Sequence, residues 1–205
     1  MRDGTVTARS DGSTHGVFPL SVSPAEGEIL RNWIVREGAR HTIEIGLGYA
    51  VSALYACDGL LSNGGGIHVA IDPNQAGRFA DCGLQLLEEA GVRELVEHHA
   101  EDSQTALPRL LAEGRRFDLA FVDGNHRFEY VFVDLAYLGR MLRPEGIVFL
   151  DDYQLPAVAR AAAFFVRNLH WTLEEVSPPD EHHQWAVLRT SGRPDERPYD
   201  YFVDF

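Results

Sequence analysis

Three aspartates stand directly after two apolar segments of the sequence. Asp123 follows residues 117–122, and Asp151 and Asp152 follow residues 147–150. Both segments have the apolar, β-branched composition of buried strands. If the two strands are neighbours, the carboxylates at their ends would repel one another, and a divalent cation would remove that conflict. Ligation by oxygen atoms alone suits Mg²⁺, with water completing the coordination shell.

A second interpretation of these aspartates remains open. Consecutive residues of a strand point to opposite faces, so Asp151 and Asp152 can both face one cation only if the strand ends there. In the alternative, one of them caps a helix or contacts a cofactor, and no metal binds. The sequence favours the metal site.

His126 lies three residues after Asp123, in the same predicted loop. Imidazole titrates near neutral pH, so a histidine there can accept a proton as a general base. The alternative is a helix cap or a side chain in solvent. Its proximity in sequence to Asp123 favours the catalytic role.

The segment 41–49 has the pattern of a buried strand that ends in a glycine turn. Gly46 and Gly48 supply a tight turn without side chains, so a ligand can approach the backbone. A predicted helix at 50–61 follows, which places its N–H groups and dipole beside the turn, as in nucleotide-binding folds. Val51 stands where the dinucleotide fingerprint has its third glycine.

Two acidic residues accompany this turn. Asp72 closes the second predicted strand, 67–71, and acidic residues at this position typically accept hydrogen bonds from ribose hydroxyls. Glu44 lies within the first strand, where an unpaired carboxylate would be costly. A salt bridge or a helix-cap role is the alternative to a cofactor contact for Glu44.

Strands and helices alternate along most of the chain, which predicts an α/β fold with a doubly wound, mostly parallel sheet. A short turn at 178–180 joins the last two strands, so this pair must be antiparallel. We expect His182 and His183, in the same connection, to be solvated. Besides the strand within 41–49, the predicted strands are 67–72, 94–99, 117–122, 147–150, 170–176 and 184–190. The predicted helices are 24–37, 50–61, 79–90, 104–113, 128–142 and 157–168.

The domain organisation follows from the same pattern. Residues 1–20 have no periodicity and read as a flexible N-terminal arm. Plain disorder is favoured for 1–14, and a flap over the active site stays open for 17–20. Residues 21–190 form one domain. The tail 191–205 is too aromatic to be left in water, so we expect it to dock on its own domain or on a neighbouring subunit of a homo-oligomer.

Composition limits the classes of function. The 205 residues carry a net charge of −13, which argues against nucleic acid or an anionic membrane as the main partner. All 18 basic residues are arginine, so catalysis by lysine is excluded. Cys57 and Cys82 lie in predicted helices and read as reduced, structural thiols. A cytoplasmic location is the expectation.

These motifs resemble known families. The pattern E-x-G-x-G, followed by a strand-terminal aspartate, resembles class I S-adenosylmethionine (SAM)-dependent methyltransferases. Asp-Gly-Asn-His at 123–126 and Asp-Asp at 151–152 resemble the small-molecule O-methyltransferases that include macrolide-sugar and cephalosporin-tailoring enzymes, although Asn125 replaces a residue that is often acidic there. The more distant catechol-type enzymes carry a lysine base at the place of His126.

The resemblance implies a seven-stranded sheet, SAM as cofactor, Mg²⁺ held by the carboxylates, and transfer to a hydroxyl of a small molecule in natural-product tailoring. It assigns His126 to catalysis and Asp123, Asp151 and Asp152 to the metal. The loop 101–103 would contact adenine, although helix capping explains it equally well. The predicted cofactor-binding residues are Glu44, Gly46, Gly48, Tyr49, Asp72, Asp102, Ser103 and Asp123.

Two other functions are compatible with the sequence. A glycine turn and an acidic strand end also serve NAD-dependent oxidoreductases, although the missing third glycine and the antiparallel last pair count against that class. A SAM-binding protein without transfer activity is the other alternative.

Overall fold

The computed structural model describes residues 4–178 and 183–205. The predicted turn residues Pro179 and Asp180, and His182, lie outside this part of the chain. The strands are β1 Thr5–Thr7, β2 Thr14–Gly16, β3 His41–Ile45, β4 Ile67–Ile71, β5 Val96–His99, β6 Phe117–Val122, β7 Leu142–Leu150, β8 Thr172–Val176 and β9 Ala186–Arg189. The helices are α1 Pro24–Arg36, α2 Val51–Ser62, α3 Cys82–Glu89, α4 Ser103–Ala112, α5 Phe128–Met141 and α6 Pro156–Leu169.

Seven strands form the main sheet in the order β5-β4-β3-β6-β7-β9-β8. β4 is parallel to β3 and to β5, and β7 is parallel to β6. β9 runs antiparallel to both β7 and β8. The predicted α/β fold, with a mostly parallel seven-stranded sheet and an antiparallel final pair, is therefore confirmed.

The chain divides into two compact units, residues 1–103 and 104–205. The first holds β1–β5 with α1–α3, and the second holds β6–β9 with α5 and α6. In the described part of the chain, no helix is both long and apolar enough to cross a membrane. The division into an arm 1–20, a domain 21–190 and a tail 191–205 stays a prediction.

Local signals in the first unit produce the predicted helix start. The Ser23 side chain accepts a hydrogen bond from the Glu26 amide at 3.1 Å, and Pro24 occupies the first turn. This is the predicted N-cap arrangement. The expected start of α3 at Phe79 is wrong, because Ala80 and Asp81 have left-handed backbones, with φ of 47° and 57°, and the helix begins at Cys82.

Residues 5–16 form a β-hairpin, which differs from the mobile arm expected there. The Gln85 side chain of α3 accepts from the Arg9 amide at 2.9 Å and donates to the Thr7 carbonyl at 3.0 Å. The Arg9 side chain reaches Glu88 at 3.0 Å. These partners are more than 70 residues away in sequence, so the local composition of the arm carries no sign of them.

In the second unit, the aromatic tail docks on α6 of its own chain, one of the two positions expected. The Asn168 amide makes two hydrogen bonds of 2.8 Å, to the N–H and the carbonyl of Val203. Arg160 donates to the Phe205 carbonyl at 2.6 Å. The Phe205 ring packs edge-on against Phe164, with 5.2 Å between centroids. Backbone pairing and ring packing together hold the tail.

Candidate active site

The glycine turn between β3 and α2 contains three residues in the left-handed region. Gly46 and Gly48 have φ of 94° and 50°, and Ala50 has φ of 61°. A left-handed backbone costs an alanine about 1–2 kcal/mol, so surrounding contacts must hold Ala50 in place. Val51, at the position of the third glycine of the fingerprint, is the first residue of α2. Ala50 offers no side-chain cap, which leaves the first N–H groups of α2 available to an anionic group.

Asp72 closes this turn. Its Oδ2 accepts from the Gly48 amide at 2.8 Å, the Leu47 amide at 3.2 Å and the Gln75 side chain at 3.0 Å, while Oδ1 accepts from the Asn74 amide at 2.7 Å. Only 3% of the residue is exposed. The carboxylate thus shapes the turn, and the ribose contact stays a prediction.

Glu44 lies beneath the turn and is completely buried. Its Oε2 accepts a hydrogen bond of 2.9 Å from Ser52, in the first turn of α2, and its Oε1 faces His68 Nε2 at 3.3 Å. His68 Nδ1 in turn meets the Thr42 hydroxyl at 2.8 Å. The two side chains lie within salt-bridge distance, the alternative that the sequence left open for Glu44. Glu44 therefore ties β3 to α2 and β4, and direct contact with a cofactor stays a prediction.

The other predicted cofactor residues lie in three different environments. Tyr49 is buried and packs edge-on against Phe79, with 5.1 Å between ring centroids. Asp102 is exposed immediately before α4, and Ser103 is the buried first residue of that helix. The last two positions are compatible with helix capping as well as with adenine contact.

In the second unit, Asp123, His126 and Asp152 come together, and we call them the Asp–His cluster. One ligand atom from each lies within 4.8 Å of the others. His126 Nε2 is 3.5 Å from Asp123 Oδ1, and its Nδ1 is 3.3 Å from Asp152 Oδ2. The imidazole ring therefore lies between two carboxylates, all three side chains being partly exposed.

Asp151 occupies a different position from its neighbour. β7 ends at Leu150, and Asp152 takes a left-handed backbone with φ of 53°. The chain therefore turns as the strand ends, the condition required for Asp152 to face the cluster. Asp151 is only 6% exposed, and its Oδ1 accepts the Asp152 amide at 2.6 Å.

The cluster concentrates negative charge in a partly desolvated place. Burial raises the pKa of Asp123 to about 7, and the charges of Asp151 and Asp152 add to this rise. The contact with Asp123 raises the pKa of His126. A bound cation would favour the ionised form of Asp123. Two carboxylates beside an imidazole therefore fit a divalent metal ion.

Two residues near Asp152 were not predicted as site residues from the sequence. His183, expected to be solvated, lies with Nδ1 3.4 Å from Asp152 Oδ1, although half of its side chain is exposed. Gln154 donates to the same Asp152 oxygen at 2.6 Å and accepts from the Gln184 amide at 2.8 Å. The Gln154–Gln184 contact attaches the segment before β9 to the cluster. Only the position of His183 in the β8–β9 connection could have suggested it.

Comparison with known proteins identifies the family. Residues 43–153 match the family model described as a methyltransferase domain, which is more than half of the chain. The chain belongs to this methyltransferase family. The match includes the glycine turn, Asp72 and the Asp–His cluster.

Individual relatives support this assignment. Tricin synthase 2 from Oryza sativa subsp. japonica is 34% identical over 147 residues, which cover 68% of this chain and 47% of that protein. The chain spans about half the length of the curated relatives it matches.

Solved structures share the fold. The O-methyltransferase from Bacillus cereus in complex with SAH has a TM-score of 0.73 at 18% identity, covering 84% of each chain. The O-methyltransferase TomG from Streptomyces achromogenes, in complex with SAM, has a TM-score of 0.71 at 23% identity, covering 86% of this chain and 84% of that one.

Proposed function

We propose that this protein is a SAM-dependent O-methyltransferase that acts on a hydroxyl of a small molecule with the help of Mg²⁺. The Asp–His cluster carries the proposal, because it combines carboxylate ligands with a potential base at the ends of β6 and β7. Membership of the methyltransferase family supplies the reaction class.

In this proposal, the first unit binds SAM at the glycine turn. The N–H groups at the start of α2, which have no side-chain cap from Ala50, would receive the carboxylate of the methionine moiety, and the left-handed Gly46 and Gly48 would leave room for the ligand. Asp72, which holds the turn closed, would accept hydrogen bonds from the ribose. Asp102 and Ser103 would contact the adenine.

The second unit prepares the acceptor. Asp123 and Asp152 would hold the cation, and Asp151 adds its charge beside them. The cation, when bound, would lower the pKa of an acceptor hydroxyl and orient its oxygen. His126, whose ring lies 3.5 Å from Asp123 and 3.3 Å from Asp152, would take the hydroxyl proton. The two flanking carboxylates fix the ring and stabilise the imidazolium that forms. SAM, when bound, would supply the methyl group to the deprotonated oxygen and would leave as S-adenosylhomocysteine.

The names of two relatives favour natural-product tailoring as the setting. Tricin synthase 2 is named for its product, and TomG is described as involved in tomaymycin synthesis. Phenols and other hydroxylated natural products are therefore the first acceptors to try.

Release of S-adenosylhomocysteine from SAM, measured over a panel of such acceptors, tests the proposal. We expect turnover that EDTA abolishes and Mg²⁺ restores, and that Asp123→Asn loses. Asp118→Asn is the matched control, because Asp118 lies at the other end of β6 and pairs with Arg143. Full activity in EDTA would exclude a requirement for Mg²⁺ in the reaction.

Replacement of His126 separates the base from the metal. His126→Ala should keep metal binding and lose about a hundredfold in rate, with partial recovery at high pH, where hydroxide replaces the base. A variant that retains the full rate would exclude His126 as the base. Binding of NAD in place of SAM would favour an oxidoreductase, and SAM binding without turnover a non-catalytic protein.

A further inference from the structure

The N-terminal hairpin reaches the glycine turn through one histidine. His15, in β2, lies with Nδ1 3.3 Å from the Tyr49 hydroxyl, and the two rings are 6.0 Å apart. Tyr49 is only 7% exposed and packs against Phe79 on another side. Tyr49 is thus held between the hairpin and the segment that follows Asp72.

Hydrogen bonds within the hairpin determine which group donates and which accepts in the contact between His15 and Tyr49. The Ser13 hydroxyl donates to Asp11 Oδ1 at 2.6 Å, so its oxygen accepts from His15 Nε2, 2.7 Å away. In the neutral ring, Nδ1 then carries no proton and accepts from the Tyr49 hydroxyl. Burial raises the pKa of Tyr49, which keeps that hydroxyl protonated. A series of hydrogen bonds therefore leads from the Tyr49 hydroxyl through His15 and Ser13 to the Asp11 carboxylate.

The base of the hairpin is attached independently of His15. Val6 and Ala8 are buried, and the Gln85 side chain bonds to the Thr7 carbonyl and the Arg9 amide. Removal of the His15 contact should therefore leave the hairpin docked on α3.

Tyr49 lies between Gly48 and Ala50, the two left-handed residues that shape the end of the turn. Because the Tyr49 ring is held in place, the peptide bonds on either side of Tyr49 are restricted as well. A binding site that is ordered before the ligand arrives reduces the entropy cost of binding. Phe79 lies beside the turn as well, with its Cζ 3.9 Å from the point a side chain on Gly48 would occupy. The hairpin thus reaches the part of the turn that the ligand would contact.

We propose that His15 is a positioning residue of the SAM site, and that the hairpin orders the glycine turn for cofactor binding through the Tyr49 hydroxyl. This inference rests on the proposed function. It assigns a role in cofactor binding to a segment that the sequence presents as a mobile arm.

A double-mutant cycle on SAM affinity, measured by calorimetry, tests it. His15→Phe and Tyr49→Phe each keep a ring and remove the hydrogen bond. We expect each to weaken SAM binding about three- to tenfold, the effect of one hydrogen bond, and the double variant to bind no more weakly than either single variant. His15→Asn, which can still accept from Tyr49, should recover most of the affinity.

Thr14→Val is the matched control. Thr14 is the next residue along β2, and its hydroxyl meets Thr7 at 3.3 Å in an exposed contact across the hairpin. Its loss should leave SAM affinity unchanged, and thermal unfolding without SAM checks the folding of every variant. Unchanged affinity in His15→Phe and Tyr49→Phe, or strictly additive losses, would overturn the inference. No SAM binding by the wild type would instead refute the proposed function.

Discussion

Replacement of His68 by leucine should expose how strongly Glu44 depends on its partner. Both residues are at most 1% exposed, and Glu44 Oε1 faces His68 Nε2 at 3.3 Å. His68→Leu leaves the Glu44 carboxylate buried, with Ser52 as its hydrogen-bond partner among the described residues, and losing one member of a buried pair costs about 3–5 kcal/mol. The Thr42 hydroxyl also loses its imidazole partner, so we expect the upper half of this range.

Urea unfolding monitored by circular dichroism measures this loss, provided that the slope with urea stays constant. Glu44→Gln in the His68→Leu background is the matched test, because it removes the charge and keeps an acceptor for Ser52. We expect it to restore about 2 kcal/mol. A loss below about 1 kcal/mol in His68→Leu, or no recovery in the double variant, would refute the reasoning that this pair supports the turn.

Three further predictions follow from other parts of the structure. Because the pKa of Asp123 is raised to about 7, the folded state keeps a proton that the unfolded state releases above about pH 4. The free energy of unfolding of the EDTA-treated protein should therefore fall as the pH rises from about 4 to 7. Urea unfolding measured at a series of pH values should show a weaker pH dependence for Asp123→Asn. Burial, and secondarily the charge of Glu44, raise the pKa of Cys57 to about 12. Thiol reagents at pH 8 should therefore leave Cys57 unmodified until the protein unfolds. Labelling of Cys57 in the folded protein, detected by mass spectrometry, would contradict its burial. Asn168→Ala removes both hydrogen bonds to Val203, so hydrogen exchange in the tail should speed up while exchange in β6 and β7 stays the same; unchanged tail protection would show that ring packing alone suffices.

The central strands could be predicted because their signals are local. Ile43 and Ile45 are apolar and β-branched, and Gly46 ends their strand, so residues close in sequence determine this part of the fold. The aspartates at 123 and 152 could be predicted for the same reason, since each follows a buried strand. The left-handed turn at Ala50 could not, because alanine has no preference for that backbone and surrounding contacts impose it.

The missed features depend on contacts between distant residues. The side chain of Gln85 in α3 makes hydrogen bonds with the hairpin, and the composition of residues 5–16 does not indicate that helix as a partner. His183 reaches Asp152 because the antiparallel β9 returns to β7, which places the start of β9 beside the end of β7. Glu44 stood out as a buried carboxylate, but its partner His68 could be chosen only once the register of β3 and β4 was known.

The most direct test of the account follows the methyl group itself. The protein is incubated with Mg²⁺, SAM carrying a deuterated methyl group and a panel of hydroxylated acceptors, and the products are analysed by mass spectrometry. We predict that one class of acceptor gains the labelled methyl group on oxygen, and that Asp123→Asn produces none of this product. Tight binding of SAM with no labelled product from any acceptor, or label transferred equally well by Asp123→Asn, would contradict the account.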